Sequence, residues 1–291
     1  MRPWQFSKPK TPGFGISTRA YLTVLSSRSI LPSLLQVLNP GGEGGAVAGF
    51  GVPAAAGKTR ASLAEPMERG RYGLFSKDKK TCLEAMVLST QEAGFDPEAF
   101  AHSGLAQRLD PEIVARIRGT WTLLQLRFQT HDAAVYPSLR FALEIAQRLA
   151  LLCEGVVADP LAARYRLPEQ VFHSEPLDPR VDARDHVATH RFGTEVHTLG
   201  MQKFLLDELN LPEVPEESTE AAEAFLALAC QKALLGDLIR PGDLLGAPSM
   251  PFEAVRGVDQ GRWEGVPVLD LLPPKGATVR AALRAWLESN R

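Results

Sequence analysis

The sequence predicts an α+β fold: a mainly antiparallel sheet covered by two amphipathic helices, of ferredoxin-like type, with extra helices before it. Three observations carry the prediction. Residues 120–129 alternate, with Leu124, Leu126 and Phe128 on one side and Gln125, Arg127 and Gln129 on the other, the period of a half-buried strand. Residues 185–192 and 195–201 are two further short runs about Gly193-Thr194, which reads as a hairpin with a two-residue turn. Residues 137–153 and 218–235 space their apolar residues as helices do, and a hairpin sheet needs such faces to cover it.

The chain has 291 residues, 45% of them hydrophobic, enough to bury a sizeable core. Its net charge of −2 hides a division. Residues 1–80 hold 12 Lys/Arg and 4 Asp/Glu, whereas residues 81–291 hold 20 and 30. A basic leader can bind nucleic acid weakly, but basic residues this dispersed, with no regular apolar stripe, read more simply as solvated. The three cysteines lie far apart with no CxxC pair, which argues against a disulfide framework or zinc knuckle and for a reducing compartment. No apolar run reaches the roughly 18 residues of a membrane span. These features describe a soluble cytoplasmic protein with no membrane association and no cofactor, acting on an unknown protein partner.

Taken in order, residues 1–66 read as a disordered basic leader and a Gly-rich linker. No acidic residue precedes Glu43, a composition that also resembles a transit peptide, and Met67 is a candidate true start. Ile30 to Leu38 could form one short helix, limited by Pro32 and by Asn39-Pro40-Gly41-Gly42. Seven of the nineteen residues from Asn39 to Gly57 are glycine, a linker composition that places a boundary here. Gly57-Lys58-Thr59 fails as a phosphate loop, because GxxxxGK[ST] requires glycine where Val52 stands. Residues 67–291 then read as a single α+β domain.

Cys82, Leu83, Met86, Val87 and Thr90 suggest a helix ending at Gly94. Asp96-Pro97-Glu98 and Asp110-Pro111-Glu112 each offer an N-cap Asp, a proline at the first helical position and an acidic first turn. These carboxylates have a structural task, which lowers their standing as catalytic acids. After the 120–129 strand and the 137–153 helix, Val156-Val157-Ala158 gives a short buried strand. Strand, helix, strand reads as a crossover unit, with Cys153 in the core. Residues 160–183 form a long connection with one helical turn at 168–172, and long connections inside a domain are often functional. A strand at Val266–Asp270 and a final helix at Thr278–Ser289 close the chain.

The segment Thr189–Leu211, THRFGTEVHTLGMQKFLLDELNL, is the most distinctive. Its order Thr198, Gly200, Met201, Phe204, Glu208, Leu209 resembles the bacterial family catalogued as domain of unknown function 4261. The resemblance covers roughly residues 120–273. It implies a fold and no chemistry, because that family has no established activity. Leu205 and Leu206 stand where the family usually has glycine, and Glu208 matches its glutamate.

Candidate chemistry is sparse. HVATH, residues 186–190, has the histidine spacing of the zincin helix, but Val187 replaces the general base. No GxSxG elbow occurs. If Gly193-Thr194 form the turn, Phe192 pairs with Glu195, Arg191 with Val196, and His190 with His197. The two imidazoles are then close enough to share a metal or a proton, with His173 as a candidate third ligand. No catalytic residue can be named. Two function classes remain: a non-enzymatic interaction or adaptor module, and a small hydrolase or metal-binding enzyme. The enzyme reading requires several of His173, His190, His197, Glu195 and Glu208 to converge in one concave pocket.

Overall fold

The structure, a computed structural model, describes residues 20–38, 54–55, 64–75, 81–130, 135–257 and 265–290. They fall into two units, within residues 15–174 and 175–291, and each is built on its own sheet.

In the first unit the strands are β1 (Ala20–Ser26), β2 (Ala54–Ala55), β3 (Gly70–Phe75), β4 (Thr81–Ser89), β5 (Thr122–Thr130), β6 (Val156–Asp159) and β7 (Arg164–Arg166). The helices are α1 (Leu34–Leu38), α2 (Pro97–Ala101), α3 (Pro111–Arg118) and α4 (Val135–Leu152). The sheet order is β2-β3-β4-β5-β1-β6-β7. Along β1, Tyr-Leu-Thr-Val-Leu alternates its side chains between two apolar faces. Leu22 and Val24 lie level with Leu126 and Leu124, and all four are buried. Leu25, turned the other way, joins Leu123, Val156, Ala158 and Ile113 and Ile117 of α3 in a second core. Burying each of the leucine, isoleucine and valine side chains stabilises the fold by about 1.5–3 kcal/mol. Helix α4 packs on β1, β5 and β6, and its Ala142, Leu143, Ala146, Leu149 and Ala150 are buried as their spacing requires. Strands β5 and β6 both run antiparallel to β1, so the expected crossover exists with β1 inserted between its strands. The Asp caps form as read: Asp96 accepts from the backbone of Glu98 and Ala99 at 3.0 Å, and Asp110 from that of Glu112 at 2.8 Å.

The second unit contains β8 (Ala188–Phe192), β9 (Glu195–Leu199), β10 (Glu208–Leu211), β11 (Leu244–Ala247), β12 (Met250–Arg256) and β13 (Val268–Leu272). Its helices are α5 (Ala183–His186), α6 (Thr219–Leu234) and α7 (Val279–Ser289). The order is β11-β12-β13-β10-β9-β8, antiparallel except between β10 and β13. Phe225 of α6 meets Phe252 of β12 at 4.9 Å and Trp286 of α7 at 5.2 Å between ring centres, which seats both helices on the sheet. Gln231, buried in α6, accepts from Ala183 N–H at 2.8 Å and donates to Val181 C=O at 2.9 Å, and so fixes the approach to α5.

The α+β class and the mainly antiparallel pairing hold, with four corrections. The 137–153 and 218–235 helices do not cover one sheet; they divide between two, and sheets of seven and six strands exceed the ferredoxin-like plan. Residues 67–291 are therefore not a single domain. The leader assignment fails for residues 20–38, because β1 lies between β5 and β6 in the interior of its sheet. Residues 82–90 are strand, not helix: Leu83, Ala85 and Val87 are buried in alternation, and pairing with β3 and β5 decides a pattern that also fits a helical period. The expectations for residues 1–19, the glycine-rich linker from Asn39 onward except Ala54–Ala55, and Gly57-Lys58-Thr59 lie outside the described residues. No described helix is long and apolar enough to cross a membrane.

Candidate functional site

The β8–β9 hairpin has the expected register. Gly193 takes φ 60° at the turn, and Phe192 pairs with Glu195, Arg191 with Val196 and His190 with His197. Arg191 anchors the hairpin by donating to Thr219 Oγ1 at 2.6 Å and to Val214 C=O at 3.0 Å.

After β9 the chain turns at Gly200, where φ is 121°. A Cβ there would stand 2.5 Å from the His186 carbonyl oxygen, so only glycine fits. The turn folds its groups onto Glu208, which has no solvent exposure. Oε2 accepts from the Thr198 hydroxyl at 2.7 Å; Oε1 accepts from Gly200 N–H at 2.8 Å and Gln202 N–H at 3.3 Å. Thr198 Oγ1 accepts in turn from Leu209 N–H at 2.8 Å. Met201 and Phe204 are buried in the same turn, and the His186 and Phe204 rings meet in a T-shaped pair 5.6 Å apart. Lys203 is buried and donates to the His186 carbonyl at 2.6 Å. Burial pushes the Glu208 carboxyl up, against the opposing pull of Thr198, the two N–H groups and Lys203. Burial also pushes up the Cys230 thiol, with the Glu208 charge adding to the effect; burial likewise raises Cys153. Neither cysteine has the lowered pKa of a nucleophile. Leu205, where the resembled family usually has glycine, takes the left-handed conformation at φ 56°.

All six residues that carry the resemblance thus meet in one buried turn, where Glu208 binds the chain together rather than facing a ligand. His186 ends α5 and His190 lies in β8, so they do not share a helix as a zincin pair would. His173 is exposed and belongs to the first unit. The His190 and His197 rings lie 6.0 Å apart, tilted by 32°. The polar row continues across the sheet: His197 is level with Asn210 of β10, Asn210 with Asp270 of β13, and Asn210 Nδ2 donates to Asp270 Oδ1 at 2.8 Å. Among the described residues of this unit, no third His, Cys, Asp or Glu donor atom joins the two histidines within 4.8 Å.

A different place offers open space. Between α6, α7 and the edge strand β11 lies a cleft of about 560 Å³, walled by Phe225, Trp286 and Leu245, with Asp237 and Asp243 on its rim and Lys232 on the α6 side. None of the five His and Glu residues of the enzyme reading lines it. Sequence reading missed the cleft because Phe225 and Trp286 carry the helical spacing of core residues and Pro241-Gly242-Asp243 reads as a turn. The one available signal was Leu244, an apolar residue directly after that turn. Comparison with known protein families, with curated proteins and with solved structures finds no match to this chain.

Proposed function

We propose that the chain is a non-enzymatic interaction module whose second unit takes an extended peptide along β11. The observation that supports this reading is the cleft beside a sheet edge. Among the described residues strand β11 pairs with β12 alone, which leaves one side of its backbone able to extend the ladder, and strand addition is a general mode of peptide recognition. Leu244 on that edge is 66% exposed, beside the Phe225 and Trp286 wall. The Asp237 and Asp243 carboxylates have no ion-pair partner among the described residues. Their charge outweighs Lys232 on the same rim. The occupant that suits this lining is a peptide with an apolar side chain for the aromatic wall and a flanking Lys or Arg for the carboxylates. The closure of Glu208 from solvent weighs against an active site in the hairpin. A protein partner, a cytosolic setting in keeping with three free cysteines, and kinship with the resembled family belong to the same proposal.

Selection of peptides from a random displayed library on the intact chain tests it. Enriched peptides should place Lys or Arg beside an aliphatic or aromatic residue. Leu244→Lys and Asp237→Lys, both at exposed positions, should each weaken binding about tenfold or more. No enrichment, or binding indifferent to both substitutions, would remove the reading.

A further inference from the structure

We propose that His190 and His197 form a two-histidine site for a divalent first-row transition metal, supported from the adjacent strand by Asn210. The site is independent of the β11 cleft.

Directly opposed residues on antiparallel strands have Cβ atoms about 5 Å apart, and the observed register opposes these two. A metal–nitrogen bond of about 2.1 Å, with roughly 1.1 Å more to the ring centre, sets each centre about 3.2 Å from a shared ion. The observed separation of 6.0 Å then corresponds to an angle at the metal of about 140°, and modest side-chain rotation reaches the tetrahedral value. The distance between ring centres is within reach of one shared ion.

The second observation is Asn210, 5% exposed, whose Oδ1 is buried with no hydrogen-bond partner among the described residues. Its Nδ2 is committed to Asp270 on β13. An amide held that way turns its oxygen from β13 toward β9, where the residue level with it is His197. A metal-bound histidine characteristically donates its other ring N–H to an acceptor of this kind, which fixes the tautomer and strengthens the ligating nitrogen. In the proposed site the His197 ring turns to donate to Asn210 Oδ1, and the Asp270 carboxylate orients Asn210. The row His190, His197, Asn210, Asp270 therefore reads as two ligands, an orienting amide and a carboxylate that holds it.

The donor set selects the metal class. Neutral imidazoles suit copper(II), nickel(II) and zinc(II), with copper(II) bound most tightly, whereas calcium and magnesium require oxygen cages. Two protein ligands leave the remaining positions to water, so affinity is lower than that of a closed four-ligand site.

Copper(II) titration of the full chain, read by electron paramagnetic resonance and pulsed nitrogen-coupling measurements, tests this. One equivalent should bind with two equatorial imidazole nitrogens. His190→Ala and His197→Ala should each weaken that equivalent at least tenfold and reduce the coupling to one nitrogen, with His102→Ala and His173→Ala as unaffected controls. Asn210→Ala should weaken binding roughly tenfold while keeping both nitrogens. The nitrogen count on the unsubstituted chain does not depend on the folding of any variant: one nitrogen or none, or loss of the signal with a control substitution, overturns the site. Unchanged affinity in Asn210→Ala overturns the role of Asn210.

Discussion

Glu208 accepts the Thr198 hydroxyl hydrogen at 2.7 Å, ten residues back along the chain and with both groups buried. The same threonine oxygen takes the N–H of Leu209. One side chain of β9 thereby binds both the carboxylate and the backbone that begin β10, while the other carboxylate oxygen closes the Gly200 turn. Hydrogen bonds to charged groups contribute more than neutral ones, and losing the acceptor leaves buried donors unpaired.

Glu208→Ala should therefore destabilise the second unit by about 2–4 kcal/mol, and Glu208→Gln, which keeps an acceptor, by less. The pH dependence distinguishes the two roles of the carboxylate. Because burial raises its folded pKa above the ordinary 4.5, the folded form holds the proton more tightly than the unfolded form between those two values. Its contribution is fully present below 4.5 and is lost as pH rises through the folded pKa. Denaturant midpoints of the unsubstituted chain minus those of Glu208→Gln should thus rise as pH is lowered toward 4.5. A difference that falls instead would mean that the hydrogen bonds outweigh burial.

Gly200→Ala meets two obstacles, the positive φ of 121° and the His186 carbonyl oxygen 2.5 Å from the new methyl. Relief would require moving α5 or breaking the Gly200–Glu208 hydrogen bond. We expect a loss of about 2–4 kcal/mol, read by chemical denaturation. Gly193→Ala, with a positive φ but open space around it, should lose only about 1 kcal/mol.

Truncation to Met67 should abolish the first sheet, not trim a leader. It removes β1, which pairs with β5 along its whole length and with β6 on its other side. Val24→Asp tests the same strand within the full chain, since an unpaired carboxylate at a fully buried position costs several kcal/mol (about 3 or more). Loss of hydrogen-exchange protection in β5 and β6 is the expected result. A truncated chain that melts with undiminished enthalpy would contradict it.

What was legible in the residues was whatever local chemistry decides. The Asp-Pro-Glu caps, the Gly193-Thr194 turn and the His190–His197 register each depend on a few adjacent residues, and each stands in the structure. What escaped depends on partners remote in sequence. Tyr21 to Ser26 has strand-like composition, but only β5, about 100 residues later, shows that it is interior; its basic, acid-free surroundings concealed it. Leu83 and Val87 are four apart, a spacing shared by one helix face and one strand face, so β3 and β5 had to decide. Gly200 and Glu208 stood out as positions, yet their hydrogen bonds show a structural role that spacing could not. The β11 cleft arises where two helices and an edge strand meet, and no single segment encodes it.

Leu143 and Leu226, the central apolar residues of the two long helices, should each fail as Asp, and each in its own sheet. Both are buried, at 3% and 0% exposure. Leu143 belongs to α4 on β1, β5 and β6, whereas Leu226 belongs to α6, which packs on β8 and β9. An unpaired carboxylate at either site forfeits about 1.5–3 kcal/mol of leucine burial and adds the cost of a desolvated charge. The sum approaches the whole stability of a typical domain. Hydrogen exchange read by mass spectrometry locates the damage: Leu143→Asp should expose the amides of β1, β5 and β6, and Leu226→Asp those of β8, β9 and β10. Protection retained in β8 to β10 with Leu226→Asp would show that α6 is not what holds the hairpin sheet together.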